Sequence, residues 1–149
     1  MKDKFATLVL LTVITTVSGF AQGPNPENAA LINAAQTLAA MSFDAGTGLT
    51  IRGRVTSLVW PERSAGMILV DAVGGEKYAF STAGVPAMAK QGFTRFTVKP
   101  GDEVIVTGVT ANGSPKIGPG FNAARANLIT LADGTHLFDR TLLPPPAAK

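Results

Sequence analysis

Few residues in this chain have chemistry to offer. It carries one histidine, His136, and no cysteine among its 149 residues. A zinc or copper centre needs three or four converging imidazole, thiolate or carboxylate ligands. The carboxylates, among them Asp44, Glu62, Asp71, Glu76, Asp102, Glu103, Asp133 and Asp139, are scattered without ligand spacing, and no metal or cofactor is expected. Ser81 and Ser114 sit in no nucleophile motif, so a Ser-His-Asp arrangement would have to take His136 as its base. No GxGxxG or GxxxxGK[ST] run is present to cradle a phosphate. No catalytic residue is expected.

What remains is recognition chemistry, and the candidate ligand-binding residues are Trp60, Arg63, Tyr78, Lys116 and Phe121. Trp60 ends an apolar run beside Pro61 and a charged loop. It either closes a core or floors a surface pocket with Arg63 and Phe121. Tyr78 and Phe80 share a strand face. With Arg52, Arg54, Lys77, Lys116 and Arg125 they could form a nucleic-acid surface. The opposing expectation is that the aromatics fill a core and the charges solvate its outside.

The elements that must position these residues centre on Lys99–Gly108, KPGDEVIVTG. Pro100 and Gly101 have the dihedral preferences of a tight turn. Val104, Ile105 and Val106 favour a packed strand, and Gly108 allows a sharp bend. Upstream, Leu49, Ile51, Gly53 and Val55 alternate with Thr50, Arg52, Arg54 and Thr56. After Ser57 the apolar set becomes Leu58, Val59 and Trp60, a change of parity that predicts a bulge or two-sided burial. Met67–Val70 reads as a short buried strand. Val73-Gly74-Gly75-Glu76 reads as a hairpin turn and Lys77–Ser81 as the returning strand.

Residues 84–91 predict a short helix with Val85, Met88 and Ala89 inward and Gly92 as its stop. Phe93 and Phe96 are expected to be buried beneath the following connection. A strand from Glu103 to about Ala111 precedes a loop, Asn112–Gly120, rich in glycine and proline. Phe121–Leu131 is a further strand. Asp133-Gly134 is the preferred pair of a type I′ turn leading into His136–Phe138. The loop after the first strand and the loop Asn112–Gly120 are expected to meet.

Ahead of all this, Asn25 and Pro26 can start a helix whose stripe is Leu31, Ala34, Ala35, Leu38 and Met41. That helix is expected to pack over an open barrel end. Three strands, a helix and two strands with a hairpin extension make an all-β, OB-like Greek-key barrel of five to six strands with minor helix. The domain reading is 22–48 for helix and lead-in, 49–138 for the barrel and 139–149 for a Pro-rich tail.

Residues 1–21 read as a cleaved export leader. Lys2 and Lys4 precede an uncharged apolar run, Phe5–Val17, and Gly19 and Ala21 are the small residues before a cut at Gln22. The run is shorter than the ~20 residues a membrane span needs. Losing Lys2, Lys4 and Asp3 lowers the formal charge by one, from +3 to +2. So small a charge gives weak attraction to phosphate backbones, and nucleic acid is not an expected partner.

The runs TIRGRVTSLVW, GFTRFTVKPGDEVIVTG and LITLADGTHLF, in that order, resemble a family of small exported bacterial proteins with an OB-like barrel and no assigned function. Members often carry a His-His-Ser stretch before the first strand and an Asn-Pro-His segment after its tryptophan. Here those places hold Ala39-Ala40-Met41-Ser42 and Pro61-Glu62-Arg63, so no histidine metal role transfers. The resemblance implies a periplasmic or extracellular protein and names no ligand.

Together these readings predict an exported, non-enzymatic module that binds a small molecule or protein of the cell envelope, with its oligomeric state open. The alternatives are a self-assembling structural protein of the envelope, a binder of single-stranded nucleic acid or oligosaccharide, and an enzyme using His136 with a carboxylate.

Overall fold

The computed structural model describes residues 26–61 and 64–143. The leader, the Asn25 cap, Glu62 and Arg63, and the proline tail from 144 onward lie outside the described residues. The elements are helix α1 (Pro26–Ala39), strands β1 (Gly48–Val59), β2 (Ala65–Ala72) and β3 (Lys77–Gly84), helix α2 (Val85–Lys90), strands β4 (Glu103–Thr110), β5 (Lys116–Ile117), β6 (Phe121–Leu131) and β7 (His136–Asp139), and a 3₁₀ turn, Arg140–Leu142.

The strands run in the order β3-β2-β1-β4-β6, every neighbour antiparallel. One parallel pairing, β3 to β6 from Tyr78↔Asn122 to Ser81↔Arg125, closes the sheet. That is a five-stranded OB-type barrel, with β5 and β7 as short additions to β6.

Its curvature is produced at identifiable residues. In β1 the pairing to β2 shifts between Val55 and Ser57. The inward set changes there, so that Val55 packs in the barrel interior, Leu58 and Trp60 pack against it, and Val59 belongs to the outer layer. The parity change in the sequence is this bulge. The KPGD turn closes on the same point. Gly101 (φ +96°) donates its N–H to the Val55 carbonyl at 2.7 Å, and the Val55 N–H donates to the Asp102 carbonyl at 2.9 Å. Asp102 Oδ2 in turn accepts from Lys99 N at 2.9 Å.

Two apolar layers hold the fold. The barrel interior holds Val55, Ile68, Val70, Phe80, Val104, Val106 and Ile129, with Met88 of α2 and Phe93 among them. The outer layer sets Ala35 and Leu38 of α1 against Met67 and Leu69 of β2, Ala79 of β3 and Ala123 of β6. Strand β2 is therefore buried on both faces, which is why Met67–Val70 is a continuous apolar run. Helix α1 lies on the barrel wall, not over an open end. The outer faces of β2 and β3 are the apolar surfaces left to cover, and alanines let a helix approach them closely.

Four local expectations are corrected. Ala89 is exposed and Ala87 packs on the core in its place, beside the fully buried Met88. Phe96 is 75% exposed, because Phe93 already fills the space beneath the connection. The loop Asn112–Gly120 includes β5, paired as Lys116↔Asn122 and Ile117↔Phe121. In the Asp133-Gly134 turn only Gly134 is left-handed (φ +92°), so it is not type I′. Instead, Asp133 Oδ1 accepts from Thr135 N at 2.9 Å.

Candidate functional site

Strand direction decides which loops can share a site. β1 and β4 are antiparallel neighbours, with Gly48 opposite Val109. Their C-terminal ends therefore point opposite ways. The loop after β1 and the loop Asn112–Gly120, which follows β4, cannot meet. The first joins the end of β3, where Ala65 pairs with Gly84. The second joins its start, beside Lys77 and Tyr78.

The sequence candidates divide accordingly. Trp60 is half-buried and stacks on Phe93, with ring centroids 5.7 Å apart and planes at 21°. It borders a shallow depression with Ala89, Arg95 and Phe96, and another with Leu31 and Ile32 of α1. Phe121 lines neither. Arg63 lies outside the described residues.

Tyr78 and Lys116 do come together, while Phe121 is not part of their groove and meets Lys77 of its lining. They line a groove of about 510 Å³ between the turn 73–76 and the loop 112–120, shared with Glu76, Lys77, Ser114 and Asn122. Parallel β3–β6 pairing sets this rim, because Tyr78 and Asn122 are register partners. The Lys116 ammonium donates to Asn122 Oδ1, and Asn122 Nδ2 donates to the Lys77 carbonyl at 3.1 Å. The Lys77 ammonium stands 5.8 Å from the Phe121 ring centroid. Tyr78 donates its hydroxyl to Glu76 Oε2 at 2.5 Å. That bond, then burial and the Glu76 charge, push the phenol up to about 12. Ser114 is held at φ +50°, a left-handed conformation uncommon for a residue with a side chain, at the groove wall.

Glu76 and Asn122 were not singled out in the sequence. The signal for Asn122 lies in strand pairing, which no local pattern carries.

The basic and aromatic face proposed for nucleic acid is not open as a whole. Phe80 is fully buried and stacks on Tyr78 at 5.6 Å, and Arg52 pairs with Glu103 across β1 and β4. His136 is exposed at the start of β7 and borders a groove of about 550 Å³ between α2 and β7. In that groove the Gln91 side-chain amide exchanges two 2.9 Å hydrogen bonds with the Asp139 backbone. The Asp139 carboxylate caps the 3₁₀ turn, accepting from Thr141 N at 2.9 Å and Thr141 Oγ1 at 2.6 Å. Those Thr141 bonds, with a smaller pull from His136, hold it below the usual carboxylate range.

Among the described residues, no three His, Asp or Glu side chains gather as a metal site would require. No described helix is long and apolar enough to cross a membrane. The fold and its rim groove define an OB-type barrel with a polar cleft. No family model matches the chain, and no curated protein matches it significantly.

Proposed function

We propose that this protein is an exported OB-type binding module that takes a small polar ligand, or a short protein segment, in the rim groove between turn 73–76 and loop 112–120. The observation that carries the reading is the convergence of Lys77, Tyr78, Lys116, Asn122 and Glu76 on one groove of about 510 Å³, within the size range of small-molecule sites. The barrel interior is filled by the chain's own side chains, so recognition falls to the rim. The leader-like residues 1–21 and the ordered resemblance to small exported proteins support a place in the periplasm or outside the cell.

The test is a thermal-shift screen of purified protein against sugars, nucleotides, amino acids and metal salts, because a ligand that binds the native state raises its melting temperature. A saturable shift lost in Lys116→Ala and Asn122→Ala supports the reading. Turnover of a bound compound, abolished by one polar substitution, overturns the non-catalytic part of it. Recovery of the protein in the cytoplasmic fraction overturns the export part.

A further inference from the structure

A further pocket, of about 420 Å³, lies on the barrel wall beneath the segment that follows α1, and two arginines line it. Arg125 comes from β6 and Arg140 from the 3₁₀ turn. The β3 residues Ser81 and Thr82, buried to 4% and 3% exposure, form its polar floor. Met41, Phe43, Ala65, Ala87 and Leu143 give it an apolar side.

The electrostatics of this pocket are unbalanced. Arg140 donates only to main-chain carbonyls: from Nε to Ala126 at 2.9 Å, and from Nη2 to Thr82 at 3.0 Å and Ser81 at 3.5 Å. These bonds fix the guanidinium in place and leave its charge uncompensated. Burial, and then the nearby Arg125 charge, push it down to about 10. Arg125 lies 5.2 Å from the Phe43 ring centroid. Its Nε is fully buried and has no hydrogen-bond partner among the described residues. Neither arginine has a carboxylate within salt-bridge distance among the described residues. A buried guanidinium N–H without an acceptor is costly, and two facing cations add repulsion. An oxyanion in the pocket that both arginines line would neutralise the pair through the outer guanidinium nitrogens, as forked guanidinium–oxyanion contacts do.

We propose that the Arg125–Arg140 pocket binds the oxyanion head of a small amphiphilic molecule, a carboxylate or a phosphate monoester, whose short apolar body lies against Met41, Phe43 and Leu143. This site is separate from the rim groove and does not depend on what that groove binds. Arg125 lines the pocket and supplies one charge. Arg140 supplies the second charge from a position locked by β3 and β6. The apolar side and the buried β3 floor make the surroundings of the contact less polar than bulk water, which strengthens the charge pairing.

The probes are hexanoate, hexyl phosphate, hexanol, acetate and inorganic phosphate, each titrated into purified protein at constant ionic strength. Binding is read by calorimetry and by amide chemical shifts. Hexanoate or hexyl phosphate is expected to bind saturably and to move the amides of Ser81, Thr82 and Arg125. Hexanol, acetate and inorganic phosphate are expected to bind at least about tenfold more weakly. Whichever of the two amphiphiles binds more tightly identifies the headgroup.

Arg125→Gln should abolish binding, and Arg125→Lys should weaken it while keeping the charge. If Arg125→Gln fails to fold, the wild-type amide map decides. Shifts confined to the pocket support the site, and shifts elsewhere overturn it. No saturable binding of either amphiphile up to about 10 mM, or equal binding of hexanol, overturns the proposal. So does binding that appears only in Glu62→Gln, since the chain's own carboxylate would then be the occupant.

Discussion

Gly108 in β4 faces the Arg125 carbonyl in β6 so closely that a Cβ built on the glycine would lie 2.0 Å from that oxygen. The cause is a bulge. The pairing passes from Thr107↔Leu128 to Gly108↔Ala126, leaving Asn127 as the extra residue of β6. The atoms that a Cβ would meet all belong to the β6 backbone, so nothing flexible can move aside. Gly108→Ala is expected to destabilise the protein at or beyond the upper end of the ~1–3 kcal/mol typical of overpacked sites. Gly74→Ala, where a Cβ meets nothing within 4 Å, is the control and should stay within about 0.5 kcal/mol of wild type. Urea denaturation of both variants checks this. Equal midpoints would mean that β4 and β6 do not approach as described.

The bulge in β1 was legible and the one in β6 was not, for a physical reason. β1 places large apolar residues on one face at a time, so inserting Thr56 visibly shifts their parity. β6 reads Ala123-Ala124-Arg125-Ala126, with alanines buried in both layers, and small residues on both faces show no parity to break. β5 was hidden because two residues between glycines and prolines have no period. The stripe of α1 could be read, but a stripe says only that a helix has an apolar face. Its docking surface is set by which barrel face is left bare. The separation of Trp60 from Lys116 follows from strand direction, a property of topology and not of any window of sequence. Arg140 fell within the stretch assigned to the tail, although β7 and the 3₁₀ turn carry the chain in regular structure to Leu142.

Tyr78 is the one tyrosine of the chain, so its titration can be read without assignment. The hydrogen bond to Glu76, with burial and the Glu76 charge behind it, raises the phenol from 10.0 to about 12. A raised pKa in the folded state means the protonated form is favoured by folding. Its contribution to stability is therefore full below the unfolded value of 10.0 and is lost as pH rises toward about 12. Tyrosinate absorbance followed against pH should show a midpoint well above that of the urea-unfolded chain. Glu76→Ala, which leaves no side-chain acceptor, should bring it down, leaving only the smaller effect of burial. A midpoint unchanged by that substitution would remove the Tyr78–Glu76 bond from the rim groove.

Phe93 closes the α2 end of the barrel with 0% exposure, and Trp60 stacks on it at 5.7 Å. Phe93→Ala should cost ~3–5 kcal/mol, the range for deleting a buried aromatic ring. Because Trp60 is the one tryptophan, its emission reports on the same spot. The variant, if it folds, should shift that emission to the red as water reaches the exposed ring face. Phe96→Ala, three residues further along the chain and 75% exposed, should leave both stability and emission near wild type. A large loss from Phe96→Ala with none from Phe93→Ala would reverse the assignment of which phenylalanine seals the barrel.

Asn112 tests how α1 is held to the wall. Its Oδ1 accepts from Ala45 N at 2.8 Å, its Nδ2 donates to Asp44 Oδ1 at 2.6 Å, and its own N–H donates to the Ser42 carbonyl at 2.9 Å. One residue thus fastens the segment leaving α1 to the end of β4. The side-chain bonds from Ser42 and then Asn112 hold the Asp44 carboxyl below the usual carboxylate range. A lowered folded pKa contributes stability that is present above the unfolded value of 3.8 and lost as pH falls through the folded one. Asn112→Ala removes both side-chain bonds but keeps the backbone one. It should therefore loosen the clamp without opening the barrel. Hydrogen exchange at neutral pH should speed up in the amides of α1 and of residues 42–46, and stay unchanged in β4 and β6. In wild type the same loss of α1 protection, taken relative to the intrinsic exchange rate at each pH, should set in only on acidification below pH 3.8. Uniform acceleration across the barrel would mean that α1 and the barrel unfold as one unit, with Ala35 and Leu38 and not the clamp securing the helix.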